Sequence, residues 1–160
     1  MAEAHIYSYD PLSQAARTLT RTGLSFEFER GFMGAVHIRR IIQTGERGSA
    51  ELKPAGEKDL GLGGLKAVLG GARASGSLYQ IAPGGDGRAF IQAVCPGAER
   101  AWLMIGPLER FHDLEVRAVG RDAGAASARP CSSLEFGFHS DWRLPEREAP
   151  RPRFGPEVLG

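Results

Sequence analysis

Residues 88–142 read RAFIQAVCPGAERAWLMIGPLERFHDLEVRAVGRDAGAASARPCSSLEFGFHSDW, and this stretch decides the fold class. It parses into four short apolar runs, RAFIQAVC, AWLMI, HDLEVRAV and SSLEFGFH, each bounded by Pro, Gly or charged residues. In the last run Leu134, Phe136 and Phe138 alternate with Ser133, Glu135, Gly137 and His139. A period of two belongs to a strand with one face in a core and the other in water. All four runs are therefore read as strands. AWLMI is apolar on both faces, which requires a central position or a cover on its outer side. Trp102, Met104, Phe90, Leu114, Val116, Phe136 and Phe138 are the expected core.

Working back toward the N-terminus, Leu24, Phe26 and Phe28 alternate with Ser25, Glu27 and Glu29, a further strand. After a GFMG break, Val36 and Ile38 begin another whose alternation slips at Arg39-Arg40 before Ile41 and Ile42. A one-residue slip flips the faces, so a bulge or sheet edge is expected there. SAELK pairs back after GERG, and residues 77–81 form one more strand ahead of the PGGDG turn. Residues 8–23 are expected to be a helix. Asp10 would cap it, Pro11 would take its first position, and Leu12, Ala15, Ala16 and Leu19 recur at helical spacing up to Gly23.

Residues 53–76, KPAGEKDLGLGGLKAVLGGARASG, differ in kind. Leu60, Leu65, Val68 and Leu69 have helical spacing, but Gly61, Gly63 and Gly64 each cost a helix interior about 1 kcal/mol against Ala. The segment is read as a crossover with a weak helix. About eight short strands then predict a mainly β chain, α+β by a small margin, built as an antiparallel sandwich or partly closed barrel. Residues 1–142 make one domain; residues 143–160, rich in Pro and Arg, form a tail expected to be extended or disordered.

Composition narrows the function classes. A net charge of +1 argues against a nucleic-acid binder. Only three of the 20 basic residues are Lys, and scattered Arg of this kind reflects a GC-rich genome rather than an anion site. Two cysteines without a CxxC spacing are not a disulfide framework. The N-terminus lacks the basic and apolar regions of a secretory signal, and no apolar run approaches the ~20 residues of a membrane span. The expected location is the bacterial cytoplasm.

Four constellations carry candidate chemistry. Cys95 ends one run and His112-Asp113 opens another, so a Cys–His–Asp site of a small hydrolase or transferase would form if the run ends converged. Cys is equally a common buried packing residue. His112, His139 and Asp141 would offer N and O ligands to a metal in a β-barrel, although no His-x-His pair is present. GLGGLKAVLGG invites a phosphate-loop reading, but Lys66 is followed by Ala67 and no buried strand precedes it. Its Leu62, Leu65, Leu69 and Arg73 read better as a contact strip for a protein partner, a second protomer or a membrane surface. Glu27 and Glu29 share one strand face, a spacing that carboxylate catalysis uses but that a wet strand face also produces.

No constellation exceeds its structural explanation. The chain is read as a binding module without a cofactor. It would contact a protein partner, its own protomer or a small apolar ligand, with the enzyme and metal-barrel readings as rivals.

Overall fold

Alternation along the strands sends every second side chain into one shared interior, and the sheet wraps until its first and last strands pair. The computed structural model describes residues 3–43, 46–69 and 76–143. Eight antiparallel strands follow one another around a closed barrel: β1 (Glu3–Pro11), β2 (Leu24–Arg30), β3 (Val36–Gln43), β4 (Gly48–Pro54), β5 (Ser77–Ile81), β6 (Arg100–Ile105), β7 (Leu114–Arg121) and β8 (Arg129–Arg143). β8 returns to β1, pairing Ser8 with Ser140, so the barrel has no open edge.

The interior is solid. Tyr7 and Tyr9 of β1, Phe26 and Phe28 of β2, Leu103 and Ile105 of β6, and Leu134 and Phe136 of β8 are buried in one cluster. An eight-stranded barrel has just enough room for such side chains or for one small ligand, and here the side chains take it. Helices α1 (Gln14–Leu19) and α3 (Gly87–Val94) complete the cluster with Ala16 and Leu19, and with Phe90, Ile91 and Val94. Both helices connect strands at the same end of the barrel, which they close. The closure is hydrogen-bonded: the carbonyl of Leu19, orphaned at the end of α1, accepts from Arg47 Nη1 at 2.7 Å and Gln43 Nε2 at 3.2 Å.

A second, smaller cluster lies outside the barrel wall. Trp102 and Val119 point outward from β6 and β7 and are covered by Leu60, Val68 and Ala128, with Leu65, Leu69 and Leu78 packed alongside. The cover is the crossover, which carries a 3-10 turn at Glu57–Leu60 and the short α2 (Lys66–Leu69). It is stitched down where Leu62 N–H donates to the Ala126 carbonyl at 2.9 Å. The doubly apolar AWLMI strand thus has the outer cover it requires.

Three expectations are corrected. Residues 8–11 belong to β1, and the helix begins only at Gln14, with the Ser13 hydroxyl accepting from Ala16 N–H at 3.2 Å. Asp10 and Pro11 end a strand instead of starting a helix. Arg88–Cys95 is not a strand but α3 with its cap: Gly87, Phe90, Ile91 and Val94 are its buried residues, the i, i+3, i+4, i+7 pattern of a helix. The strand gained at β1 and the strand lost at α3 offset each other. Cys95 and Cys131 are joined by a disulfide, with Cα atoms 5.1 Å apart, and tie the end of α3 to the start of β8. The bulge expected at Arg39-Arg40 is present: Glu27 pairs with Arg40 and Phe28 with Ile38, leaving Arg39 as the extra residue. The expected tail, residues 143–160, lies outside the described residues apart from the last residue of β8.

Candidate functional site

Among the described residues no helix closes the barrel end opposite α1 and α3. There, between Arg30 and Val36 at the two ends of the connection 31–35 and the first residues of the connection 106–113, lies a cleft of about 320 Å³ lined by Arg30, Val36, Ile38, Tyr79, Ile105, Leu108 and Glu109. Its floor is set by the inward alternation of β3, β5 and β6. The Tyr79 hydroxyl is fixed as acceptor for Ile38 N–H at 3.1 Å. The Arg30 guanidinium lies over the Phe28 ring, 5.6 Å from its centroid, at the rim of the cleft.

Both connections hold a non-glycine residue in left-handed backbone. Met33 (φ 67°) is 88% exposed and Phe111 (φ 65°) is 78% exposed. They are the only such residues among those described. Phe111 leans edge-on against Phe138 at 5.3 Å, and Arg110 stacks over Phe111 while reaching Asp141 at 3.3 Å. Left-handed backbone costs an L-residue roughly 1–2 kcal/mol, so the two loops present large apolar side chains to solvent against a local penalty.

The structure does not bring Cys95, His112 and Asp113 together. Cys95 is fully buried, bonded to Cys131, and sits against Gly120 near the far end of β7. His112 and Asp113 are exposed just before Leu114, the near end of the same strand, and roughly 20 Å of strand separates the two ends. The metal set is likewise dispersed. His112 lies 4.0 Å from Glu109, Asp141 pairs with Arg110, and His139 pairs with Asp10 at 3.0 Å. Among the described residues no group of His, Cys, Asp and Glu is placed to hold a metal ion. Glu27 and Glu29 are each taken up by arginines, Arg40 at 3.6 Å and Arg39 at 2.9 Å. Of the contact strip, Leu65 and Leu69 are spent on covering Trp102, Leu62 is exposed, and Arg73 lies outside the described residues.

One arrangement escaped the sequence reading. On the outer face of β8, β1 and β2, a shallow cleft of about 280 Å³ is lined by Ser8, Asp10, Ser25, His139, Ser140 and Trp142, with Thr22 and Ile42 at its edge. Ser8 pairs with Ser140 and Tyr9 with Phe138, so His139 is the extra residue of a bulge that sets it beside Ser140. Asp10 and His139 are 129 residues apart, and only closure of the barrel makes them neighbours. No local spacing signals such a pair.

No family model matches the chain, and comparison with curated proteins and with solved structures returns no match.

Proposed function

We propose that the chain is a binding module that takes a small ligand with an apolar body and a polar end at the open mouth of its barrel. The observation that carries this is the mouth cleft: Val36, Ile38, Ile105 and Leu108 offer an apolar floor, and Arg30 and Glu109 offer polar groups at the rim. Ligand sites commonly combine an apolar lining with a few placed polar groups, and occupy the mouths of β-barrels. The filled interior supports a ligand at the mouth over one inside. The dispersal of Cys95, His112 and Asp113 weighs against the enzyme reading. Among the described residues no helix is long and apolar enough to cross a membrane. The Cys95–Cys131 bond favours an oxidising compartment over the cytoplasm as the place where the module works.

The test uses anilinonaphthalene sulfonate, an apolar ring system with one charged end, as the probe. Saturable fluorescence enhancement by the native protein is expected, abolished in Val36→Trp, which fills the cleft from a half-buried position. Enhancement that Val36→Trp leaves intact, or no enhancement at all, would remove the mouth as the site.

A second reading, contact with a protein partner at the same rim, is favoured by the exposure of Met33 and Phe111. For contact with a second copy, light scattering across a concentration series decides: association abolished by Met33→Asp with Phe111→Asp supports it, and a concentration-independent monomer opposes it.

A further inference from the structure

We infer that the outer-face cleft on β8, β1 and β2 is a binding site for an uncharged saccharide, separate from the mouth. Three features of the cleft converge on that chemistry. First, Trp142 is 62% exposed at its edge. An indole left in water on a sheet face offers a flat apolar plate, which matches the C–H face of a sugar ring, while its N–H can reach a hydroxyl. The contrast with Trp102, fully buried beneath the crossover, shows that the chain does cover a tryptophan where packing needs one.

Second, the rest of the lining is dense in paired hydrogen-bonding side chains. Asp10 Oδ2 and His139 Nδ1 are 3.0 Å apart, and the Ser8 and Ser25 hydroxyls are 2.8 Å apart. Each pair fixes its own orientation and leaves capacity over. Asp10 Oδ1 and His139 Nε2 have no hydrogen-bond partner among the described residues, and each serine oxygen can still accept. With Ser140 and Thr22 alongside, donors and acceptors are interleaved, as a polyol's hydroxyls require because each donates and accepts.

Third, the charge is wrong for an anion. Among the described residues no Arg or Lys lines the cleft, and its formal charge comes from Asp10, which faces His139. A phosphate, a sulfated glycan or a nucleic-acid strand would meet a carboxylate with no guanidinium to answer it. The bulge at His139 is the backbone device that assembles the site: without the extra residue, His139 and Ser140 would point to opposite faces of the sheet.

The chain's own tryptophans provide the readout. Acrylamide quenching of the native full-length protein reports Trp142, since Trp102 is shielded. Cellobiose, maltotriose and chitobiose are the neutral probes, with heparin and oligo-dT as the anionic ones. At least one neutral probe is expected to protect Trp142 saturably. Asp10→Asn and His139→Ala are expected to weaken that protection by about tenfold each, a loss of the size of one good polar contact. Retention of neutral-sugar binding in affinity electrophoresis should fall by a similar factor for Trp142→Ala. Val36→Trp, in the mouth, should leave that retention unchanged, so failure at one site is distinguishable from failure at the other. Protection by the anionic probes alone, by none of the five, or by a sugar whose retention survives Trp142→Ala overturns the inference.

Discussion

Cys95 and Cys131 meet directly beneath Gly120, where a Cβ would run into Cys95 Sγ and would lie 3.1 Å from Cys131 Sγ. The bond spans 36 residues of sequence and locks the end of α3 to the first residues of β8. A loop of that length gives a chain-entropy stabilisation of about 4 kcal/mol. Cys95→Ala with Cys131→Ala is expected to lower the urea midpoint accordingly, and the protein should resist thiol reagents both native and unfolded until a reductant is added. Equal midpoints with and without reductant, or rapid labelling of the native protein, would show that the bond contributes nothing.

The same contact predicts a coupling. Gly120→Ala should destabilise the protein by about 1–3 kcal/mol, the range for overpacking a filled site. In the Cys95→Ala, Cys131→Ala background the sulfurs are gone, and the cost should shrink. A double-mutant cycle measures this, and strict additivity would show that Gly120 is small for another reason.

Outside the barrel wall, Leu60 is fully buried against the Trp102 cluster, while Leu62 two residues on is exposed. Leu60→Ala is expected to cost about 2–5 kcal/mol and to red-shift Trp102 emission as the cover loosens. Leu62→Ser should stay within about 0.5 kcal/mol of the parent. Comparable losses at both positions in chemical denaturation would mean that the crossover does not pack as described.

Acid should loosen the closed end first. The Thr20 hydroxyl donates to Glu46 Oε1 at 2.7 Å, and with Arg21 N–H and the nearby guanidiniums it holds the Glu46 carboxyl below its usual range. Arg129, bonded to both Asp122 oxygens at 3.2 Å or less, does the same to Asp122. A carboxyl depressed in the folded state contributes stability that is complete above its unfolded pKa and is lost as pH falls through its folded one. Denaturation midpoints are therefore expected to be flat near neutrality and to fall below about pH 4. Glu46→Gln should flatten that acid limb, and an unchanged limb would assign the effect elsewhere.

What was legible in the chain follows from how locally each signal is written. The alternation in Phe26/Phe28 and Leu134/Phe136, the slip at Arg39 and the doubly apolar AWLMI strand are each contained within one strand, and each became a feature of the barrel. RAFIQAV misled because a short apolar run fits both periods. The burial of Gly87, Phe90, Ile91 and Val94 that decides for a helix depends on the barrel end α3 plugs. Asp10-Pro11 has the chemistry of a helix start, but pairing with Gly137 and Phe136 of β8 claims it for a strand. The Cys95–Cys131 bond, the Asp10–His139 pair and both clefts exist only once distant strands are neighbours, so no local pattern records them.

Met33 offers a test of whether strain at the mouth serves binding. Its backbone sits at φ 67° and ψ 18°, its side chain is almost wholly in solvent, and a residue of this kind gains little from packing to offset the conformation. Met33→Gly removes the Cβ conflict, worth roughly 1–2 kcal/mol, but adds freedom to the unfolded chain worth about 0.5–1 kcal/mol. The net expectation is a gain in stability of up to about 1 kcal/mol by urea denaturation. If the loop is held in this shape to present an apolar group beside the cleft, the same variant should bind anilinonaphthalene sulfonate more weakly while folding more stably. A variant that is stabler and binds the probe unchanged would assign the strain to the tight turn between β2 and β3 and to nothing further.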